Sequence, residues 1–173
     1  MEEQELAPAD PGFDAFFRAE YRRVVGLTFV LCGRRSVAEE LAQDAFVAAF
    51  RHWDRVGGYD DPAAWVRRVA VNLATSWLRR RTREIRALTR LASRREEEPG
   101  GRAVDDDDFW RAVRALPRRQ AQCVALRYLD DQSNDEIAAV LGIAVTTVRV
   151  HLHAARAALA VSLGETLDEE EPS

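Results

Sequence analysis

Leu116–Ala160 reads LPRRQAQCVALRYLDDQSNDEIAAVLGIAVTTVRVHLHAARAALA, and its apolar spacing decides the fold. Asn134 to Leu141 places Ile137, Ala138 and Leu141 on one face of a short helix. Gly142 follows, where a sharp turn benefits from a residue without Cβ. Val145 to Ala160 then carries Val148, Leu152, Ala155 and Leu159 at i, i+4, i+7 and i+11, the packed stripe of a longer helix. Thr146, Thr147, Arg149, Val150, His151 and His153 fall off that stripe, toward a groove or solvent. Two helices about such a turn predict a helix-turn-helix, whose second helix enters the DNA major groove while the first crosses the phosphate backbone.

Charge supports a polyanion partner once it is read by segment. The net charge is −4, with 25 arginines and no lysine. Phe13–Arg95 carries +8 and Phe109–Leu163 carries +3, whereas Met1–Gly12, Glu96–Asp108 and the tail from Gly164 are acidic. Two basic blocks separated and flanked by acidic stretches predict two domains that face polyanions. Arginine suits that role because its planar fork binds phosphate or carboxylate through two donors.

Upstream of the helix-turn-helix the pattern is also helical. Asp10-Pro11 opens a stretch with Phe13, Phe17, Tyr21, Val24, Leu27, Thr28 and Leu31 on one face. Ser36-Val37-Ala38-Glu39 spells a capping box, ahead of Leu41, Ala45 and Ala49 with Phe46, Phe50 and Trp53 beside them. Arg55–Asp60 interrupts the pattern with two glycines. Asp61-Pro62 then caps a helix with Trp65, Val66, Val69, Leu73, Trp77 and Leu78. The phase of Trp65 and Trp77 with Val69 and Leu73 assigns them to core packing rather than to stacking on bases. From Ala87 to Asp108 periodicity gives way to charges and Pro99-Gly100-Gly101, a linker. Phe109–Leu116 restarts a helix. The expectation is an all-α chain of two small helical domains, at 13–86 and 109–163. A flexible acidic linker (87–108) joins them, between acidic tails at 1–12 and 164–173.

Other chemistries find little support. Cys32 and Cys123 stand far apart among apolar residues and read as buried thiols. Three histidines without a nearby cysteine pair make no zinc set. Asp105–Asp108 point in different directions on a helix start and favour its dipole rather than a metal. No nucleophile–base pair is spelled. The expectation is a non-enzyme without cofactor or metal, with no membrane-length apolar run, working in the cytoplasm.

Three segments in this order, AEELAQDAFVAAFRHW (Ala38–Trp53), DPAAWVRRVAVNLATSWLRRRTR (Asp61–Arg83) and the stretch from Leu116 to Leu159, resemble an extracytoplasmic-function sigma factor of bacterial RNA polymerase. The layout is similar to members that carry regions two and four alone. The resemblance implies that Ala38–Trp53 docks on the β′ coiled coil of core polymerase, through Glu39, Glu40, Gln43, Asp44, Phe46 and Arg51. It implies that Asn72, beside the Tyr59 loop, lines a pocket for a base flipped from the −10 element. An amide suits this role because it both donates and accepts at a base edge. Arg67, Arg68, Arg79, Arg80, Arg81 and Arg83 would hold nearby phosphates, which adds affinity but no sequence choice.

In the second domain Arg149 is the first candidate for −35 contact, supported by Thr146, Thr147, Val150, His151 and His153. Arg118, Arg119 and Arg127 would serve phosphates or the polymerase β flap. The chain departs from the family pattern at Val150, His151 and Ala154, which stand for a usual serine and two arginines. The implied partners are core polymerase and promoter DNA, and the resemblance allows an anti-sigma factor. From the residues alone, a free-standing regulator that binds a palindromic operator as a dimer stays open.

Overall fold

The computed structural model describes residues 11–91 and 108–164, which form eight α-helices and no strand. The first half comprises α1 (Pro11–Cys32), α2 (Arg35–Arg51), the single turn α3 (Trp53–Val56) and α4 (Pro62–Leu91). The second comprises α5 (Asp108–Ala115), α6 (Arg118–Tyr128), α7 (Asn134–Leu141) and α8 (Val145–Leu163). Asp10, the expected cap of α1, lies outside the described residues, as do Asp105–Asp107. Asp61 caps α4 as its sequence predicts, its Oδ1 accepting the Ala64 N–H at 2.9 Å.

The Ser36 capping box does not form. α2 starts two residues earlier, with Arg34 as an N-cap that offers no side-chain bond. Glu39 instead accepts from Arg35 Nε at 3.1 Å. α4 also runs five residues beyond Arg86, through Ala87 and Leu88 to Leu91, a stretch with no proline or glycine to break a helix.

α1, α2 and α4 pack on one another around Val24, Ala42, Ala45, Phe46, Val66 and Ala70. Phe13, Phe16, Phe17 and Tyr21 close this core from α1, their rings 4.8–6.2 Å from one another and from Phe46, Phe50 and Trp53. The buried Thr28 hydroxyl stands 2.9 Å from the Ala38 carbonyl, tying α1 to α2. In the second half α5, α6 and α7 pack on α8 through Val113, Val124, Leu126, Ile137 and the expected stripe Val148, Leu152, Ala155 and Leu159.

The two halves also pack on each other. Leu27, Val30, Leu31, Val71 and Ala74 share one buried cluster with Val113, Ala121 and Leu126. Polar contacts lock the seam: Gln122 Nε2 donates to Thr75 Oγ1 at 2.9 Å, and Arg114 Nη1 to the Val30 carbonyl at 3.4 Å.

Candidate nucleic-acid and polymerase interface

Ser133 and Glu136 start α7 with a reciprocal capping box, and Gly142 ends it in the left-handed region at φ +64°. α8 leaves at 105° to α7, a crossing that a helix-turn-helix requires. Burying Val148, Leu152, Ala155 and Leu159 turns the opposite face outward. Thr146, Arg149 and His153 are exposed there, Val150 is 65% exposed, and Thr147 and His151 are half-buried at the edge. The six expected −35 residues thus lie on the outward side or at its edge within the first three turns.

On α4 the expected residues divide into three groups. Asn72 is exposed, one turn beyond Arg68. Arg79, Arg80, Arg81 and Arg83 are exposed along the C-terminal half. Arg67 and Arg68 are engaged with the second half. Arg67 is 4% exposed, its guanidinium bonded to Glu20 of α1 at 2.9 Å and to Asp130 between α6 and α7. Arg68 donates to the carbonyls of Val140, at 3.1 Å, and Ala139. These are C-terminal carbonyls of α7, where a cation is favoured. Tyr59 is 37% exposed and accepts a bond from Arg55 at 3.2 Å. Gly57 owes its place in that loop to close packing, since a Cβ would stand 2.9 Å from the Trp53 carbonyl oxygen.

On α2, Glu40, Gln43, Asp44 and Arg51 are exposed and Glu39 half-buried. Phe46 corrects its expectation as a surface contact. It is 2% exposed within the aromatic core, its ring 5.0 Å from that of Phe17. Its phase with Ala42 and Ala49 already places it on the inner face. The apolar residues of the outer face are Val47 and Phe50, each 46% exposed and missed by the sequence reading. Spaced with Gln43 and Asp44 at helical intervals, they give this face an apolar centre and a charged rim.

A cleft of about 670 Å³ opens between α4 and the α5–α6 junction. Arg79, Arg83, Arg86, Arg114 and Arg118 rim it, over a floor that includes Leu78 and Leu116. Arg118 is held below the usual arginine pKa, first by desolvation and then by the positive charges of Arg79 and Arg119. Arg119 also donates to Gln122 at 3.2 Å, and Arg127 donates to the Asn134 side chain. Trp65 and Trp77 are half-buried against the two cores, as their phase requires.

The architecture defines a two-part helical DNA reader with its helix-turn-helix in the second half. The sigma-70 region 2 family matches residues 16–84, and sigma-70 region 4 matches residues 106–159. An RNA polymerase sigma-E factor of Streptomyces antibioticus is 32% identical over 131 residues, covering 76% of this chain and 72% of the relative. The ECF RNA polymerase sigma factor SigE of Mycolicibacterium smegmatis is 31% identical over 157 residues, 86% of this chain and 60% of that one. The fold is similar to that of the sigma factor RpoE of Bartonella quintana, co-crystallised with the anti-sigma factor NepR. The TM-score is 0.72 at 23% identity, over 91% of this chain and 98% of that one. The chain belongs to the sigma-70 family, with extracytoplasmic-function sigma factors among its relatives. It is a sigma factor of bacterial RNA polymerase, which binds the core enzyme and directs promoter-specific initiation.

Proposed function

We propose that α8 reads the −35 element through Arg149 with Thr146, Thr147, Val150, His151 and His153, while Asn72 receives a flipped base of the −10 strand. The exposure of Arg149 and its neighbours on one outward face of α8 carries the −35 assignment. His151 and Ala154 leave that helix less basic than two arginines would, so shape and apolar contact between Val150 and thymine methyls take a larger share of its readout. Arg79, Arg80, Arg81 and Arg83 hold duplex phosphates beside −10. Flipping a base takes a few kcal/mol, which pocket contacts around Asn72 and Tyr59 offset.

The outer face of α2, with Glu40, Gln43, Asp44 and Arg51 around Val47 and Phe50, docks on the β′ coiled coil. Its apolar centre and charged rim are the anatomy of a protein interface. The region-four half, through Arg118 and Arg119, adjoins the β flap. Domain boundaries at 13–86 and 109–163 are proposed with these roles. The chain catalyses no reaction and works in the cytoplasm with the core enzyme. An anti-sigma factor is a further proposed partner, for which an acidic amphipathic segment would match the arginine rim and apolar floor of the cleft.

The test is in vitro transcription with sigma-free core polymerase on genomic fragments, mapping transcript 5′ ends. New starts preceded by two shared elements at fixed spacing support the reading. DNA binding by the chain alone, with no new starts, overturns it.

A further inference from the structure

The described residues that line the cleft between α4 and the α5–α6 junction include five arginines and no acid. Arg79, Arg83 and Arg86 form one wall, at i, i+4 and i+7 along α4, and Arg114 and Arg118 form the other. Like charges gathered in this way repel one another. Arg118 registers the repulsion, since Arg79 and Arg119 add to desolvation in holding its pKa down. An anion would relieve that rim, and carboxylates suit it because guanidinium binds them through paired donors. The floor of Leu78 and Leu116 favours an anionic segment that also carries an apolar side chain.

The chain supplies such a segment nearby. Residues 165–173 read ETLDEEEPS, five acids without a base, with Leu167 directly before Asp168–Glu171. They follow Gly164, where α8 ends at φ +72°. Ser162 and Leu163 line one pocket together with Ala112 and Ala115 of α5. Leu116, the next residue, lines the arginine cleft, so the end of α8 is one pocket away from the rim. An extended chain covers about 3.3 Å per residue, which puts Asp168–Glu171 within about 13–25 Å of Gly164. That span is ample to pass a helix about 10 Å across. Joined to α8 by so short a stretch, the segment meets the rim at an effective concentration on the order of mM.

We propose that this cleft is the docking site of the chain's own acidic segment, with Asp168–Glu171 on the arginine rim and Leu167 on the apolar floor. An acidic segment from another protein has to displace it. While the segment is docked, Arg79 and Arg83 are screened from DNA. That consequence rests on the phosphate reading of these two residues given above, whereas the docking does not.

A nitroxide on Ser173→Cys reports where the segment lies in the full chain. Cys32 and Cys123 are buried, and the unsubstituted chain treated alike is the control. At low salt the backbone amide signals of Thr82, Arg86 and Gln122 should lose about half their intensity or more, as tethering at mM effective concentration requires. Those of Gln43 and Val47, on the outer face of α2, should keep theirs. The loss should reverse at about 1 M salt, where the Debye length is about 3 Å. It should also reverse in a chain carrying Arg86→Glu and Arg118→Glu. No loss at the cleft overturns the docking, and so does equal loss over the whole surface or a loss that survives both salt and charge reversal. Glu169→Gln, Glu170→Gln and Glu171→Gln together should raise affinity for a duplex without promoter elements. The gain should exceed severalfold that of the charge-matched Glu2→Gln, Glu3→Gln, Glu5→Gln chain, because the released arginines take up phosphates. Equal gains in the two chains, with the signal loss at the cleft intact, uphold the docking and remove Arg79 and Arg83 from the phosphate reading.

Discussion

Glu136 and Ser133 satisfy each other at the start of α7: the Ser133 N–H donates to Glu136 Oε2 at 2.7 Å, and the Glu136 N–H donates to Ser133 Oγ at 3.2 Å. The Ser133 backbone bond, followed by its side chain, holds the Glu136 carboxyl below its usual pKa. A carboxylate with a depressed folded-state pKa stabilises the fold above its unfolded pKa, and that gain disappears as pH falls through the folded value. Ser133→Ala should therefore reduce stability by about 1 kcal/mol at neutral pH. Glu136→Gln should flatten the acid limb of the melting-temperature profile below about pH 4.5. An unchanged acid limb would show that the pair does not couple protonation to folding.

Gly142 requires its freedom for a backbone reason alone. Its φ is +64°, and a Cβ built there meets nothing within 4 Å. Gly142→Ala should reduce stability by about 1 kcal/mol through left-handed strain. Gly142→Asn should lose less, because asparagine tolerates that region. Denaturant titration with unchanged slope checks this order. Equal losses for both would point to the packing of α7 against α8 instead.

What could be read in advance was local. The stripe from Val148 to Leu159 and the turn at Gly142 follow from helical period and one residue's backbone freedom, and both appear as expected. Helix starts were less legible. Ser36-Val37-Ala38-Glu39 and Ser133-Asn134-Asp135-Glu136 share the capping pattern, yet only the second forms the box. The four-residue patterns themselves do not distinguish them; Arg35, just before the first, donates to Glu39. The burial of Arg67 was illegible because its partners lie 47 and 63 residues away, at Glu20 and Asp130. A charged residue reads as exposed until its counter-charges are placed. The same non-local packing brings residues of the two halves into one buried cluster.

Cys123 is fully buried, and its thiol pKa is pushed up to about 11 by that burial. Cys32 is buried too, with its pKa raised by desolvation, while its Sγ lies 3.4 Å from the Arg34 carbonyl. Thiolates are the reactive species, so neither thiol should react with a disulfide reagent near pH 8 on the timescale of minutes. Both should react at once in denaturant. Rapid labelling of Cys123 in buffer would reveal opening of the α6 core.

Asn72→Ala and Arg149→Ala should separate the two DNA roles. Asn72 is exposed on α4 and packs no core, so its loss should leave the fold and core binding intact. Promoter opening should fall by the equivalent of about 1–3 kcal/mol, the worth of a bidentate amide–base pair. Permanganate reactivity of unpaired thymines measures opening, and a fluorescence assay measures core binding. Equal loss of both would remove Asn72 from the base pocket and assign it to the polymerase interface. Arg149→Ala should leave opening on a premelted −10 template unchanged and weaken only duplex binding at −35. If Arg149 holds a phosphate, the salt slope should fall by about 1 and affinity should drop alike for all −35 sequences. If it reads a base, the slope changes little beyond the lost charge while discrimination at one position relaxes. Titrations of holoenzyme on matched and mismatched −35 duplexes at two salt concentrations distinguish these results, and unchanged affinity on every duplex would remove Arg149 from the interface.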